Sequence, residues 1–265
     1  MKKVSTITPS YKSEKYLKGF LSSVKNQTYE NIEIVLDQNE PTDREVKIVE
    51  KFNKKNNNIM QTIIKKVDPI GISMNRCIDK STGDYLCIWN VDDLRTPKSI
   101  ELMVKVLDER KDIDIVLGKY VIVNKFKSKR GNTIDESKRA PKDFMSGMLL
   151  GPFFMFRKEI IEKTGKFDEQ FFSGNDYDLA MRLVRNGKYY CLDQVLGYYL
   201  NEGKGLSTKS ESLQPLERTA IELRYDLPPI DDSLVKKAIE TYDLHNLYYD
   251  SKKISLDSIK KHFKR

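Results

Sequence analysis

Asp92 and Asp93 stand side by side where an apolar run, Tyr85-Leu-Cys-Ile-Trp89, gives way to polar chain. Adjacent carboxylates repel each other unless solvent, hydrogen bonds or a positive charge relieves them. Their hard oxygens suit Mg²⁺ or Mn²⁺, which take one or two protein carboxylates and fill their other positions with phosphate oxygens. The pair also suits the cap of a helix starting near Pro97, because Asp is favoured at an N-cap and Pro in a first turn. Asp176 stands at or just before a second helical pattern, where a carboxylate serves equally as a cap.

These residues need elements to carry them. Val4-Ser-Thr-Ile-Thr8 reads as a buried strand, Pro9 to Ser13 as the loop leaving it, and Ser13 as the cap of a helix whose apolar face is Leu17, Phe20, Leu21 and Val24. Ile32 to Leu36 is a second strand, followed by the polar stretch Asp37 to Asp43 and a helix with Val46, Val49 and Phe52 on one face. Met60 to Ile64 is a third strand, Ile70 to Ile78 a helix, and the run ending in Trp89 a fourth strand. Strands alternating with helices give the α/β class with a mostly parallel sheet, in which ligands sit outside the carboxyl ends of the strands. The stretches Pro9–Ser13, Asp37–Asp43 and Asn90–Arg95 are therefore expected to gather at one end.

Beyond Pro97 the spacing of Ile100, Met103, Val104 and Leu107 predicts a helix, Ile113 to Leu117 a strand and Lys119 to Phe126 another. Lys127 to Lys142 reads as a Lys-rich surface loop. Gly151 to Arg157 returns to a strand, Ile160 and Ile161 lie on a short helix, and Leu179, Leu183 and Val184 form the apolar face of the helix opened by Asn175-Asp-Tyr-Asp178.

The 265 residues suffice for one large or two small domains, and 39% hydrophobic with 10% aromatic content excludes whole-chain disorder. A net charge of +8 favours an acidic partner, yet the lysines are dispersed and no Arg-rich stripe or aromatic RNA-binding signature accompanies them, so no nucleic-acid partner is expected. Cys77, Cys87 and Cys191 are odd in number and two lie in apolar runs, which fits reduced thiols in the cytoplasm. The longest apolar stretch, Phe144 to Phe156, is interrupted by Gly147, Gly151 and Pro152 and is too short to span a bilayer.

Several separated segments together resemble one family. Val4-Ser-Thr-Ile-Thr-Pro-Ser-Tyr11, Ser23-Val-Lys-Asn-Gln-Thr-Tyr29, Ile32 to Asp43, Ser81-Thr-Gly-Asp-Tyr-Leu86, the Asp92-Asp93 strand end, Phe167-Asp-Glu169 and Gly174-Asn-Asp-Tyr-Asp-Leu179 fall in the order and spacing of the inverting glycosyltransferases of family 2. The resemblance covers roughly residues 4 to 208. It implies a GT-A fold, a Rossmann-like αβα sandwich with a donor-binding half at 1–97 and an acceptor-binding half at 98–210; beyond the resemblance, 211–265 reads as a helical, basic extension. It further implies a nucleoside diphosphate sugar donor, a Mn²⁺ or Mg²⁺ ion, and inversion at the anomeric carbon. Pro9 and Tyr11 would then border the base, Asp37 or Gln38 would hydrogen-bond its edge, and Asn90, Asp92 and Asp93 would fall on the positions that meet ribose, metal and diphosphate. Asp176 matches the family's base, which takes the proton of the acceptor hydroxyl.

Departures from the pattern sharpen these expectations. Asn90 replaces the first acid of the usual Asp-x-Asp, so metal binding rests on Asp92 and Asp93. Asn175 replaces the acid before the base, which leaves Asp176 without a like-charged sequence neighbour to raise its pKa. No His stands near Glu202, where the family commonly has one; Glu202 or Asn201 is a metal or diphosphate contact, or an exposed loop residue. Arg76 is a phosphate partner or a surface charge. The Gln-x-x-Arg-Trp signature of processive synthases is absent, which favours a single sugar addition onto a glycan or lipid-linked acceptor. The Lys pairs 252–253 and 260–261 suit peripheral contact with anionic lipid on the inner face of a membrane, a solvated tail or an oligomer contact. The two Asn replacements also motivate the opposite reading, a nucleotide-sugar-binding scaffold without catalysis.

Overall fold

A computed structural model describes residues 1–138, 150–203 and 212–245. The expected alternation is present: β1 (Val4–Ser10), α1 (Glu14–Lys25), β2 (Ile32–Asn39), α2 (Asp43–Asn56), β3 (Ile59–Ile64), α3 (Ile70–Lys80) and β4 (Tyr85–Ile88). After them come β5 (Leu94–Arg95), α4 (Ser99–Glu109), β6 (Ile115–Val123), β7 (Asn132–Ile134), β8 (Met155–Arg157), α5 (Ile160–Thr164), α6 (Asn175–Asn186) and β9 (Tyr189–Leu200). Two further helices, α7 (Gln214–Arg224) and α8 (Val235–Thr241), close the described chain.

Among the described residues, nine strands join one sheet in the order β3-β2-β1-β4-β8-β6-β9-β5, with β7 on β6. The long ladders, β1 with β2 and β4, β2 with β3, and β6 with β9, are parallel, while the short β8 runs antiparallel between β4 and β6 and so joins the two halves. Strands covered on both faces can be apolar throughout. One face packs Leu17, Phe20, Val49, Ile100 and Leu107 from α1, α2 and α4; the other packs Met74, Ile78, Leu179 and Leu183 from α3 and α6. This is an αβα sandwich. The outer side of α6, through Tyr177 and Met181, carries a third apolar cluster with Leu216, Ile221 and Val235 of α7 and α8.

Three expectations need correction. Ile113–Leu117 and Lys119–Phe126 are not two strands but the single β6, whose pairing with β9 shifts register around Gly118 and Lys119 and so breaks the alternation. Gly118 also lets Leu196 approach, since a Cβ there would lie 2.9 Å from Leu196 Cδ1. Pro9, Asp37 and Gln38 lie in β1 and β2 rather than beyond them, because the parallel pairing persists through Pro9 opposite Asp37 and Ser10 opposite Gln38. Ser13 occupies the N-cap of α1 but does not cap it with its side chain; its hydroxyl lies 3.0 Å from Glu45 Oε1 and 2.6 Å from Ser10 Oγ. Residues 139–142 of the expected Lys-rich loop, 144–149 of the apolar stretch, and residue 211 with 246–265 of the basic extension lie outside the described residues. Among the described residues no helix is long and apolar enough to cross a membrane.

Candidate active site

The carboxyl ends of β1, β2 and β4 bring the expected donor-side residues together. Pro9 pairs with Asp37, Ser10 with Gln38, and Ile7 with Ile88, one residue before Trp89. Trp89 is fully buried, stands edge-on to Phe20 at 5.5 Å, and donates its indole N–H to the Asp93 carbonyl at 3.0 Å. The turn is closed by the Asp93 N–H on the Asn90 carbonyl at 3.1 Å. Helix α4 begins only at Ser99, with Lys98 at its N-cap, so the Asp pair does not cap it.

The two carboxylates differ. Asp93 is 2% exposed, its Oδ1 accepts the Leu200 N–H at 3.0 Å, and its pKa is raised well above the usual carboxylate range by burial and by the charge of Asp92. The Leu200 N–H hydrogen bond, the charge of Arg95 and hydrogen bonding from the Asn90 side chain, in that order, oppose that rise. An acid at position 90 would add a like charge where Asn90 instead stabilises the buried one. Asp92 is half-open, and burial followed by the charge of Glu202 raises its pKa. Glu202 is not an exposed loop residue: it accepts from Lys15 Nζ at 2.9 Å and from the Tyr16 hydroxyl at 3.0 Å. The pairing of β5 with β9 delivers this segment to the Asp pair.

The flanking wall is polar and tightly bonded. Asp37 accepts from Arg76 Nε at 3.1 Å and Nη2 at 2.7 Å, and Arg76 Nη1 reaches Asp68 at 2.8 Å. Arg76 is thus engaged in an acidic cluster. Gln38 is fully buried; its carbonyl accepts from Gln61 at 2.6 Å, while its Nε2 has no partner among the described residues. Tyr11, 44% exposed, presents its ring at the end of β1.

Asp176 lies in the first turn of α6, whose N-cap is Gly174. Its side chain is exposed, with Oδ1 accepting the Tyr177 N–H at 2.8 Å. Desolvation by the surrounding protein, with a smaller push from the charge of Glu217, raises its pKa to about 6 against the opposing backbone hydrogen bonds. Although Asn175 carries no charge, the charge of Glu217 on α7 adds to that rise. Asn75, on α3, clamps the neighbouring segment by accepting the Phe167 N–H at 2.9 Å and donating to the Phe167 carbonyl at 3.0 Å and to Glu169 at 2.8 Å.

Tyr199 links the two ends of the site. Its half-buried phenol is pushed up to about 12 by burial and by the charges of Asp93, Asp92 and Asp176, in that order. Sequence reasoning missed both Tyr199 and Glu217. For Glu217 a signal exists: a Glu among Leu216, Ala220 and Ile221 on the apolar side of a helix needs a partner.

Among the described residues, no three His, Cys, Asp or Glu side chains form a ready metal cage. A half-open carboxylate at Asp92 nevertheless fits Mg²⁺ or Mn²⁺, which accept one or two protein carboxylates when diphosphate and water complete the shell.

Comparison with known proteins agrees with this geometry. The family described as Glycosyl transferase family 2 matches residues 5–165. An uncharacterised glycosyltransferase of Methanocaldococcus jannaschii is 25% identical over 207 residues, covering 74% of this chain and 70% of the relative. A GalNAc(5)-diNAcBac-PP-undecaprenol beta-1,3-glucosyltransferase of Campylobacter jejuni is 24% identical over 197 residues, 72% of this chain and 62% of its own. In three dimensions the fold is similar to residues 1–349 of TarS from S. aureus in complex with UDP, with a TM-score of 0.69, 20% identity, and 89% of this chain and 70% of that one covered. A mannosyltransferase of Pyrobaculum calidifontis in complex with GDP-Man and Mn²⁺ aligns with a TM-score of 0.59 and 16% identity over 94% of this chain and 69% of that one. The chain belongs to glycosyl transferase family 2 and is a glycosyltransferase of GT-A fold.

Proposed function

We propose that the protein transfers one sugar from a nucleoside diphosphate sugar to a hydroxyl of a glycan or lipid-linked acceptor, with inversion and with a divalent cation. The observation that carries this reading is the acidic strand end, where Asp92 is half-open and Asp93 is buried behind it with Oδ1 accepting the Leu200 N–H at 3.0 Å, at the carboxyl end of the parallel strands where such sheets bind ligands. Asp92, with Asp93 behind it, would hold the cation beside the diphosphate. When bound, Mg²⁺ or Mn²⁺ supplies positive charge to the leaving diphosphate, often worth several kcal/mol.

The chain's own residues divide the remaining work. Tyr11, exposed with Lys12 Nζ 5.0 Å from its ring centre, offers a ring for stacking on the base, and buried Gln38 would have to turn its Nε2 outward to donate to the base edge. Arg76 orients Asp37 from behind rather than meeting phosphate. Asp176 takes the acceptor proton on its carboxylate as the hydroxyl oxygen attacks the anomeric carbon from the face opposite the leaving group. A pKa near 6 lets Asp176 be ionised at neutral pH while keeping more proton affinity than an ordinary aspartate.

The hydrogen bond of the Asn90 side chain to Asp93 and the contribution of Glu217 to the Asp176 pKa support the catalytic reading over a non-catalytic scaffold. A lipid-linked acceptor would bring the enzyme to the cytoplasmic face of a membrane. The test is turnover of a panel of UDP- and GDP-sugars with and without Mn²⁺: metal-stimulated transfer with inverted product supports the reading, and binding with no turnover on any donor or acceptor supports the scaffold instead.

A further inference from the structure

Glu217 is fully buried, on a helix that lies outside the segment matched by the family, and its carboxylate is directed at the chain just before Asp176. Its Oε1 accepts the Phe172 N–H at 2.7 Å. Its Oε2 accepts the Ser173 N–H at 2.7 Å, the Gly174 N–H at 2.6 Å and the Ser173 hydroxyl at 3.0 Å. Three successive backbone donors thus converge on one carboxylate, an anion-holding nest filled by a side chain of the protein itself. The fit is close: a Cβ on Gly174 would lie 3.0 Å from Ile221 Cδ1 and 3.1 Å from Glu217 Cβ.

This contact holds the chain that enters α6 and not the helix's own first-turn N–H groups. Gly174 has no side chain to cap α6, and Asp176 already uses Oδ1 on its neighbour's N–H. Resting on the assignment of Asp176 as the base, we infer that Glu217 is a positioning residue for the reaction, fixing the Phe172–Gly174 backbone so that Asp176 faces the acceptor hydroxyl. Its charge also adds, after burial, to the rise in the Asp176 pKa.

The other charged groups around the base are engaged elsewhere or lie across the cleft. Asp178 on the same helix is held by Arg182 and Arg224; Asp168 by Arg224; Glu169 by Asn75; Arg218 of α7 lies 6.0 Å from the Tyr177 ring; Tyr199 faces from β9. Glu217 is the charge whose removal is expected to reach Asp176.

The test compares Glu217→Gln, Glu217→Asp and Asp176→Asn in the full chain, with donor affinity, kcat, KM and the pH dependence of kcat/KM measured once melting curves establish folding. Glu217→Gln places an amide donor against backbone donors, and kcat is expected to fall about 100-fold, the scale of a 1 Å misplacement, with donor affinity unchanged. The acid limb of its profile should move to lower pH, because a negative charge near the base is gone. Glu217→Asp keeps the charge and loses reach, so kcat should fall less and the limb should stay. A merely structural residue would alter folding while leaving the limb where it was. Wild-type kcat and limb in Glu217→Gln, alongside an inactive Asp176→Asn, overturn the positioning role alone; full transfer by Asp176→Asn overturns the base assignment instead. If neither Glu217 variant folds, the residue serves folding and the inference is rejected.

Discussion

The strand end at Asp92-Asp93 and the helix start at Asn175-Asp176 solve one problem in two ways. Each end of the cleft presents one accessible carboxylate and backs it with a buried one. At the strand end the buried partner is the next residue, Asp93, tied to Leu200 and Asn90. At the helix start it is Glu217, delivered by α7 from 41 residues farther along the chain. An acid next in sequence to a reactive acid is thus not required for the backing to exist; a neighbour in space can stand in for it.

Substitution separates the two ends most strongly. Asp176→Asn should lower kcat by about 10²- to 10⁴-fold while leaving donor affinity and its Mn²⁺ dependence intact, as measured by calorimetry and single-turnover transfer. Asp92→Ala should cost about 10²- to 10³-fold in kcat/KM and abolish the Mn²⁺ dependence of donor binding, consistent with losing a few kcal/mol of leaving-group stabilisation. Equal effects of both variants on donor binding would erase the proposed division of labour.

Proton affinity gives a finer comparison. Because the base must be ionised, kcat/KM should fall about tenfold per pH unit below about 6 and level off above it. A limb near the ordinary carboxylate value would mean that neither crowding nor Glu217 acts on Asp176.

The smallest effect concerns stability. A folded pKa raised from 3.8 to about 6 means that the ionised side chain is disfavoured in the fold. Its cost is absent well below pH 4, grows between about 4 and 6, and is complete above. Asp176→Asn should therefore melt about 1–2 °C higher than the parent at pH 7.5, with solvent in the open cleft keeping the difference small and acidification toward pH 4 removing it. A lower melting temperature at pH 7.5 would show that Asp176 supports the helix more than it strains it.

Much of this was legible in the residues. The 3.6-residue spacing of α1 to α4 and the apolar runs of β1 to β4 are local signals, and they placed the donor-side residues at one end of a sheet. The slip at Gly118 was not legible, because a register shift depends on which strand lies alongside. Long β9 and its Tyr199 were obscured because Tyr189 to Leu200 mixes exposed and buried positions. Arg76 offered two readings, and only the placement of Asp37 and Asp68 decided between them.

The insertion of β8 between β4 and β6 also bears on how the protein is made. The edge of β4 that β8 covers can be paired only after Met155–Arg157 have been synthesised, well after Ile88. At about 5–20 residues per second, a nascent chain carries that exposed strand for several seconds. Open edges are templates for pairing between chains. Slowed translation or separate expression of the first half should therefore favour aggregation, and supplying the β8 segment should suppress it.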